Sequence, residues 1–221
     1  MKKESHNRVL RLAQFSLLLA LEAIVCFTPL GSIPIAPPGI VATLSHLPVI
    51  ITAILLGIGP GALMGFFFGL FSFLVWTLFP PVPPIAFLFT PFSPAITPGG
   101  EILIGGNGFS LLICFVPRIL IGVVAGLSFR ISQKRRARTG KGQALSYTLS
   151  GLLGSLTNTI LVLSASYVFF CVPNAALAEN SYALLLLIFG ASVFINGVLE
   201  AAAAILVTNG VCHPLKRFVM K

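Results

Sequence analysis

The chain has 221 residues, of which 57% are hydrophobic and only 9% are charged, whereas a soluble domain carries about 25% charged residues. Its formal net charge is +9, and all five acidic residues are glutamates. So few charges exclude a soluble globular surface, and the absence of Asp excludes Asp-rich magnesium sites, so the sequence predicts an integral membrane protein.

Six apolar segments are long enough to cross a bilayer, which takes about 20 residues of helix. In chain order they cover residues 9–30, 40–58, 60–79, 109–130, 143–170 and 182–208. Gly57, Gly59 and Pro60 separate the second segment from the third, which would otherwise form one overlong helix. The first is too long for a cleaved signal peptide, and equally apolar segments follow it. We therefore expect an all-α membrane protein, with residues 1–221 forming a single domain of six transmembrane helices.

The basic residues indicate how these helices are oriented. They cluster at the N-terminus, between the fourth and fifth segments, and at the C-terminus. With six spans, all three clusters lie on one side, and the other side carries only Glu101 and Glu179. The positive-inside rule then predicts that the N- and C-termini are cytoplasmic. Because the basic residues flank spans and lack interleaved aromatic residues, the charge does not indicate nucleic-acid binding.

Small residues at helical spacing predict faces where helices approach closely. Gly61, Gly65 and Gly69 form such a face on the third span, and Gly122 and Gly126 form one on the fourth. We expect the glycine faces to pack against neighbouring spans inside the protein. The first span carries a similar face at Ser16 and Ala20. Since this span is peripheral, its face could dock another membrane subunit.

The longest loop, residues 80–108, is rich in Pro and Gly and also contains Phe87, Phe89 and Phe92. Loops of this length are usually functional or disordered, and apolar composition disfavours disorder. We interpret the loop as a lid or plug over an outward-facing cavity. The alternative is a partly buried cap without a gating role.

Three ionisable residues fall within predicted spans, where they are costly and often functional. Glu22 and Arg118 are both placed near mid-membrane by the rise of the helix, and Glu200 is placed close to the cytoplasmic end of the last span. Arg118 either pairs with Glu22 or backbone carbonyls, or holds an anionic ligand group such as a carboxylate.

Four further residues are candidates for a polar pocket that opens outward. His46 lies two turns below the outer surface, Asn158 lies in the outer half of the fifth span, and Asn196 lies near the middle of the sixth. Trp76 is a candidate for its apolar wall. For the histidine the alternative is a structural role, for the asparagines hydrogen bonding between helices, and for Trp76 contact with lipid.

No enzymatic function is indicated by the motifs present. The sequence lacks a GxxxxGK[ST] phosphate loop, an HExxH zinc motif and a GxSxG nucleophile elbow. Its four cysteines have no metal-binding spacing, so we expect no metal and no cofactor. Any nucleotide hydrolysis that drives this protein must take place in another subunit.

The chain resembles the S components of energy-coupling factor (ECF) vitamin transporters, the membrane subunits that capture substrate. The resemblance is carried by segments along nearly the whole chain, at residues 27–31, 42–49, 56–62, 68–72, 116–122, 156–159 and 196–200. It implies the six-helix S-component fold in a bacterial plasma membrane, with a vitamin site near the outer face. It also implies three partners, a membrane coupling subunit and two cytoplasmic ATPase subunits. The AxxxA docking motif of the family maps to Ser16 and Ala20, with Ser in place of the first Ala.

The cargo is less narrowly indicated by this resemblance. The chain looks most like the pantothenate type, and a carboxylate such as that of pantothenate suits Arg118 or His46. Folate also carries carboxylates, and riboflavin would use stacking and amide contacts such as Trp76 and Asn158 offer. A stand-alone secondary transporter is a further alternative. Many such transporters contain an inverted repeat, and the absence of a clear repeat between the two halves of this chain argues against it.

Overall fold

The computed structural model describes residues 2–36, 40–81, 83–96, 102–139, 143–171, 197–212 and 214–215. The helices in these ranges are α1 (Lys2–Phe27), α2 (Leu47–Leu55), α3 (Ile58–Leu78), α4 (Gly108–Thr139), α5 (Gln143–Ser166) and α6 (Gly197–Cys212). Four short strands, β1 (Ser32–Ala36), β2 (Ile40–Thr43), β3 (Pro94–Ile96) and β4 (Ile102–Gly105), form two antiparallel hairpins. The chain is therefore predominantly helical, as predicted, and the hairpins are an addition that the prediction lacked.

Four of the described helices, α1, α3, α4 and α5, are long and apolar enough to cross a membrane. Their positions agree closely with the first, third, fourth and fifth predicted spans. Helix α4 extends beyond the predicted end, because the basic segment up to Thr139 continues the helix. These helices indicate a multi-pass membrane protein. Part of the sixth predicted span lies outside the described residues.

Helix α2 is much shorter than the span predicted over residues 40–58. The first part of that segment is strand β2, and the helix itself has nine residues, which rise by about 14 Å. Pro48 lies in its first turn, where the N–H group that proline lacks would have no partner within the helix. All residues from Pro48 to Ile54 are buried, and α2 contacts α1, α3, α4 and α5. A short helix buried inside the bundle thus begins where the β1–β2 hairpin ends.

Glycines bring the backbones of α3 and α4 into direct contact. A Cβ atom at Gly65 would meet the carbonyl group of Arg118 and lie 2.8 Å from the Cα atom of Ile119. A Cβ atom at Gly122 would meet the backbone of Gly61 and lie 2.7 Å from the nitrogen of Ala62. The predicted role of these glycines in internal packing is confirmed. The contact fixes the height of Arg118 against α3.

Replacing Gly65 by alanine should destabilise the protein by about 1–3 kcal/mol, because the added methyl group meets backbone that cannot move aside independently. Gly59, also in α3, is a matched control, since nothing lies within 4 Å of a Cβ atom there. Gly59→Ala should leave the stability unchanged or raise it by less than about 1 kcal/mol. Thermal unfolding in detergent measures both variants. Equal midpoints for the two would contradict the close contact.

The segment between α3 and α4 folds back onto these helices. Residues Pro83–Leu88 form a 3₁₀ turn, and Ala86 to Thr90 are buried. Their apolar side chains pack with Trp76, Ile113, Cys114 and Phe170 at one end of the bundle. The hydroxyl of Ser110 donates a hydrogen bond of 2.7 Å to the carbonyl oxygen of Phe87. Residues 86–90, which we call the plug segment, are thus packed onto the bundle. This packing agrees both with a lid or plug and with a cap without a gating role, and opening of the segment remains a prediction.

Candidate functional site

Arg118 is buried in the middle of α4, and its position follows from the preceding proline. Pro117 has no N–H group, so the carbonyl oxygen of Ile113, four residues earlier, loses its helical donor. The guanidinium of Arg118 replaces that donor, with Nη1 at 2.8 Å from the Ile113 oxygen. The Nε atom of Arg118 is buried and has no hydrogen-bond partner among the described residues. The arginine therefore completes the helix with one nitrogen and keeps another available.

Two aromatic rings face the Arg118 guanidinium. Its central carbon lies 5.0 Å from the centroid of Phe89 and 5.5 Å from that of Phe68, within range of cation–π attraction. The indole of Trp76 packs on the ring of Phe89, with centroids 4.6 Å apart. Phe89 belongs to the plug segment, so Arg118 and the plug are directly connected.

The alternative in which Glu22 pairs with Arg118 is not what the structure shows. Among the described residues, no carboxylate forms an ion pair with Arg118. The Oε1 atom of Glu22 accepts a 3.2 Å contact from the thiol of Cys26, and Oε2 is buried without a partner. Backbone and aromatic contacts hold Arg118, and no carboxylate in the described part of the chain is bonded directly to its guanidinium. A buried cation of this kind suits an anionic ligand group.

His46 is fully buried at the beginning of α2. The β1–β2 hairpin leads into it, and the neighbouring Ser45 is fixed by a 3.1 Å hydrogen bond from its hydroxyl to the Gly31 carbonyl. Neither ring nitrogen of His46 has a hydrogen bond of normal geometry. Since buried polar atoms are normally paired, the imidazole offers one donor and one acceptor to a ligand or to water.

Asn158 lies at the same level as His46 by helical register. One turn before it on α5, a Cβ atom at Gly154 would meet Ile50 of α2 and Ala125 of α4. One turn from Ile50 towards the hairpin end is His46, and about two turns from Ala125 in the same direction is Arg118. Asn158 is buried, and its Oδ1 atom has no partner. By this register His46 and Asn158 lie at one level, and Arg118 lies about one turn further towards the hairpin end. Their common role in a binding pocket remains a prediction.

Glu200 also belongs to this region, which the sequence analysis did not recognise. Its Oε1 atom accepts hydrogen bonds from the backbone nitrogen of Thr43, at 2.8 Å, and from the Thr43 hydroxyl. The carboxylate is also close enough to interact electrostatically with His46 and Arg118. The predicted depth near the cytoplasmic end was wrong. Helix α6 continues to Cys212, so Glu200 lies roughly 18 Å from that end.

Unpaired polar atoms concentrate in this one region. Eight buried side-chain nitrogen or oxygen atoms in the described residues have no hydrogen-bond partner, and six of them belong to Glu22, His46, Arg118, Ser155 and Asn158. Native structures leave few such atoms without water or ligand. We call these five residues together with Glu200 the polar cluster. It combines nitrogen donors with oxygen acceptors under the hairpin end of the bundle.

The other predicted site residues have different outcomes. Trp76 is buried against Phe89, so it supports the aromatic frame behind Arg118. Asn196 lies outside the described residues. Ser16 and Ala20 are exposed on α1, on a surface that also includes Leu17 and Ile24. Within the described ranges, no three His, Cys or acidic side chains are grouped to hold a metal ion.

Comparison with known proteins gives two matches. The family described as ECF transporter, substrate-specific component, matches residues 85–211, a range that includes Arg118, Asn158 and Glu200. The pantothenic acid transporter PanT of Lactococcus lactis subsp. cremoris (strain MG1363) is 33% identical over 217 residues. That alignment covers 98% of this chain and 97% of PanT.

Proposed function

The chain belongs to the substrate-specific components of ECF transporters, and from that premise we propose that it captures pantothenate at the outer face of a bacterial cell membrane. The observation that carries the choice of cargo is the identity to PanT along almost the entire length of both chains. The chain is accordingly a transport component, and vitamin binding is the role that its family and this relative support.

The polar cluster supports a cargo with a carboxylate. In the described part of the chain, Arg118 is buried without a carboxylate bonded to it, and both ring nitrogens of the buried His46 lack a hydrogen-bond partner. Pantothenate supplies one carboxylate, and its amide and hydroxyl groups can pair with acceptors such as Asn158 Oδ1. Binding would then convert unpaired buried atoms into charge-assisted hydrogen bonds, which are the stronger kind.

Riboflavin is a weaker candidate for a specific geometric reason. Its isoalloxazine ring would need an aromatic surface for stacking, and Trp76 was the predicted one. The Trp76 ring is buried and packs on Phe89. It is therefore occupied by the plug segment, which favours the pantothenate assignment.

The charge pattern supports entry from the outside. The basic residues Arg130, Lys134 and Arg135 lie at the far end of α4 from the plug, and the positive-inside rule assigns that end to the cytoplasm. The hairpins and the polar cluster, at the other end of the bundle, then lie towards the outer face. ATP hydrolysis then takes place in two cytoplasmic ATPase subunits, joined to this chain through a membrane coupling subunit.

Calorimetric titration of the purified protein with pantothenate, riboflavin and folate tests this proposal. We expect 1:1 binding of pantothenate in the absence of ATP. Binding of riboflavin or folate in its place, or no binding of any of the three, would overturn the cargo assignment. In proteoliposomes, ion-driven uptake by this chain without partner subunits would contradict the role of a capture component.

A further inference from the structure

The two carboxylate oxygens of Glu200 have unequal surroundings. Oε1 accepts from both the backbone nitrogen and the hydroxyl of Thr43. Among the described residues, Oε2 has a single partner, the hydroxyl of Thr159, at the long distance of 3.4 Å. That hydroxyl lies equally far, 3.4 Å, from the carbonyl oxygen of Ser155, and its one proton cannot serve both acceptors well. Oε2 therefore retains capacity for a stronger donor.

The surroundings of Glu200 suit a donor that comes from a bound ligand. The side chain is only 5% exposed, so water does not readily supply the missing donor. Asn158 precedes Thr159 on α5, and its Oδ1 atom is also an unpaired acceptor. The cluster thus has acceptors on the α5–α6 side, while Arg118 on α4 supplies the unpaired donor Nε.

We propose that Glu200 determines cargo specificity by accepting a hydrogen bond from a cargo hydroxyl group at Oε2, while Thr43 holds Oε1. This rests on the proposed function, in which Arg118 receives the cargo carboxylate. A neutral hydroxyl donor satisfies Oε2 without adding a second charge. A second carboxylate at the same place would be repelled by Glu200, so the residue also selects against dicarboxylates.

The contacts of Glu200 also agree with a purely structural role, which the experiment must distinguish from a role in cargo specificity. Because Glu200 joins α6 to the end of strand β2, it also tethers the β1–β2 hairpin. A residue that only tethers would affect every cargo by the same factor. A residue that accepts the hydroxyl would affect only cargo that carries the hydroxyl. The ratio of two affinities therefore distinguishes the two roles.

The test measures the dissociation constants of pantothenate and of an analogue in which hydrogen replaces its hydroxyl groups. For the unmodified protein we expect the analogue to bind about tenfold more weakly, because it leaves a buried acceptor unpaired. In Glu200→Gln the donors of Thr43 hold the amide oxygen in place of Oε1, so an NH2 group, which cannot accept the hydroxyl proton, replaces Oε2 and the ratio should fall. Glu200→Met removes the acceptor and should bring the ratio close to one. If the Glu200→Met variant does not fold, the ratio measured for Glu200→Gln tests the proposal by itself.

Thr43→Val is the matched control, since it loosens the tether and leaves the Glu200 carboxylate in place. It should weaken both ligands equally and preserve the ratio. An unchanged ratio in Glu200→Gln and Glu200→Met, or equal binding of both ligands by the unmodified protein, would overturn the role of Glu200 and leave pantothenate as cargo. Failure of the unmodified protein to bind either ligand would instead overturn the proposed function.

Discussion

Replacing Arg118 by alanine should weaken pantothenate binding about tenfold or more, a loss of about 1.4 kcal/mol for each factor of ten. The guanidinium is the buried cation of the polar cluster, with Nε unpaired and two aromatic rings around it. Without it, the cargo carboxylate would lose its charged partner in a poorly hydrated site. Calorimetric titration of the detergent-solubilised variant measures the change.

A neutral ligand separates this charge effect from a loss of folding. Pantothenyl alcohol, which carries an alcohol in place of the carboxylate, should bind the unmodified protein weakly and lose little further affinity in Arg118→Ala. Arg130, which is exposed further along α4, provides the control Arg130→Ala, with affinity expected to remain unchanged. If Arg118→Ala is folded and binds pantothenate normally, Arg118 does not contact the cargo.

Leucine at position 16 or 20 should abolish uptake by the assembled transporter and leave vitamin binding by this chain intact. Ser16 and Ala20 are exposed on α1, which contributes little to the buried core. Small residues allow another helix to approach closely, and a leucine side chain at either position would hold it away. Uptake of labelled pantothenate in proteoliposomes that contain all four subunits measures the first effect, and titration of the single chain measures the second.

Ser164→Leu is the matched control for this experiment, because Ser164 is also a small, exposed residue but lies on α5. It should transport normally. Normal uptake by both Ser16→Leu and Ala20→Leu would place the docking surface elsewhere. Loss of vitamin binding in either variant would show that the substitution disturbs the polar cluster rather than the contact with the coupling subunit.

Much of the site was predictable because polar residues are rare in apolar spans. Arg118, His46 and Asn158 each stand out against apolar neighbours, and the structure buries all three side chains. The family assignment drawn from the sequence is likewise confirmed. The roles of these residues in cargo binding, and those of Ser16 and Ala20 in docking, remain predictions.

The features that were missed depend on where helices begin and end. Glu200 was assigned the wrong depth because the extent of the last helix could not be placed from hydropathy alone. Residues 40–43 are as apolar as a membrane helix, but they pair with β1 as a strand. Trp76 was a candidate for a pocket wall or for lipid contact, and its packing on Phe89 is a tertiary contact without a sequence signal.

The link between Pro117 and Arg118 has a consequence for the evolutionary history of the site. Proline alone at position 117 would leave the carbonyl oxygen of Ile113 without a hydrogen-bond donor inside the bundle. Arginine alone at position 118 would bury a cation next to a helix whose carbonyl oxygens are already paired. Each residue lowers the other's cost through the 2.8 Å bond to Ile113. Neither is a neutral step by itself, so we expect descendants of this chain to keep the pair or to lose both together.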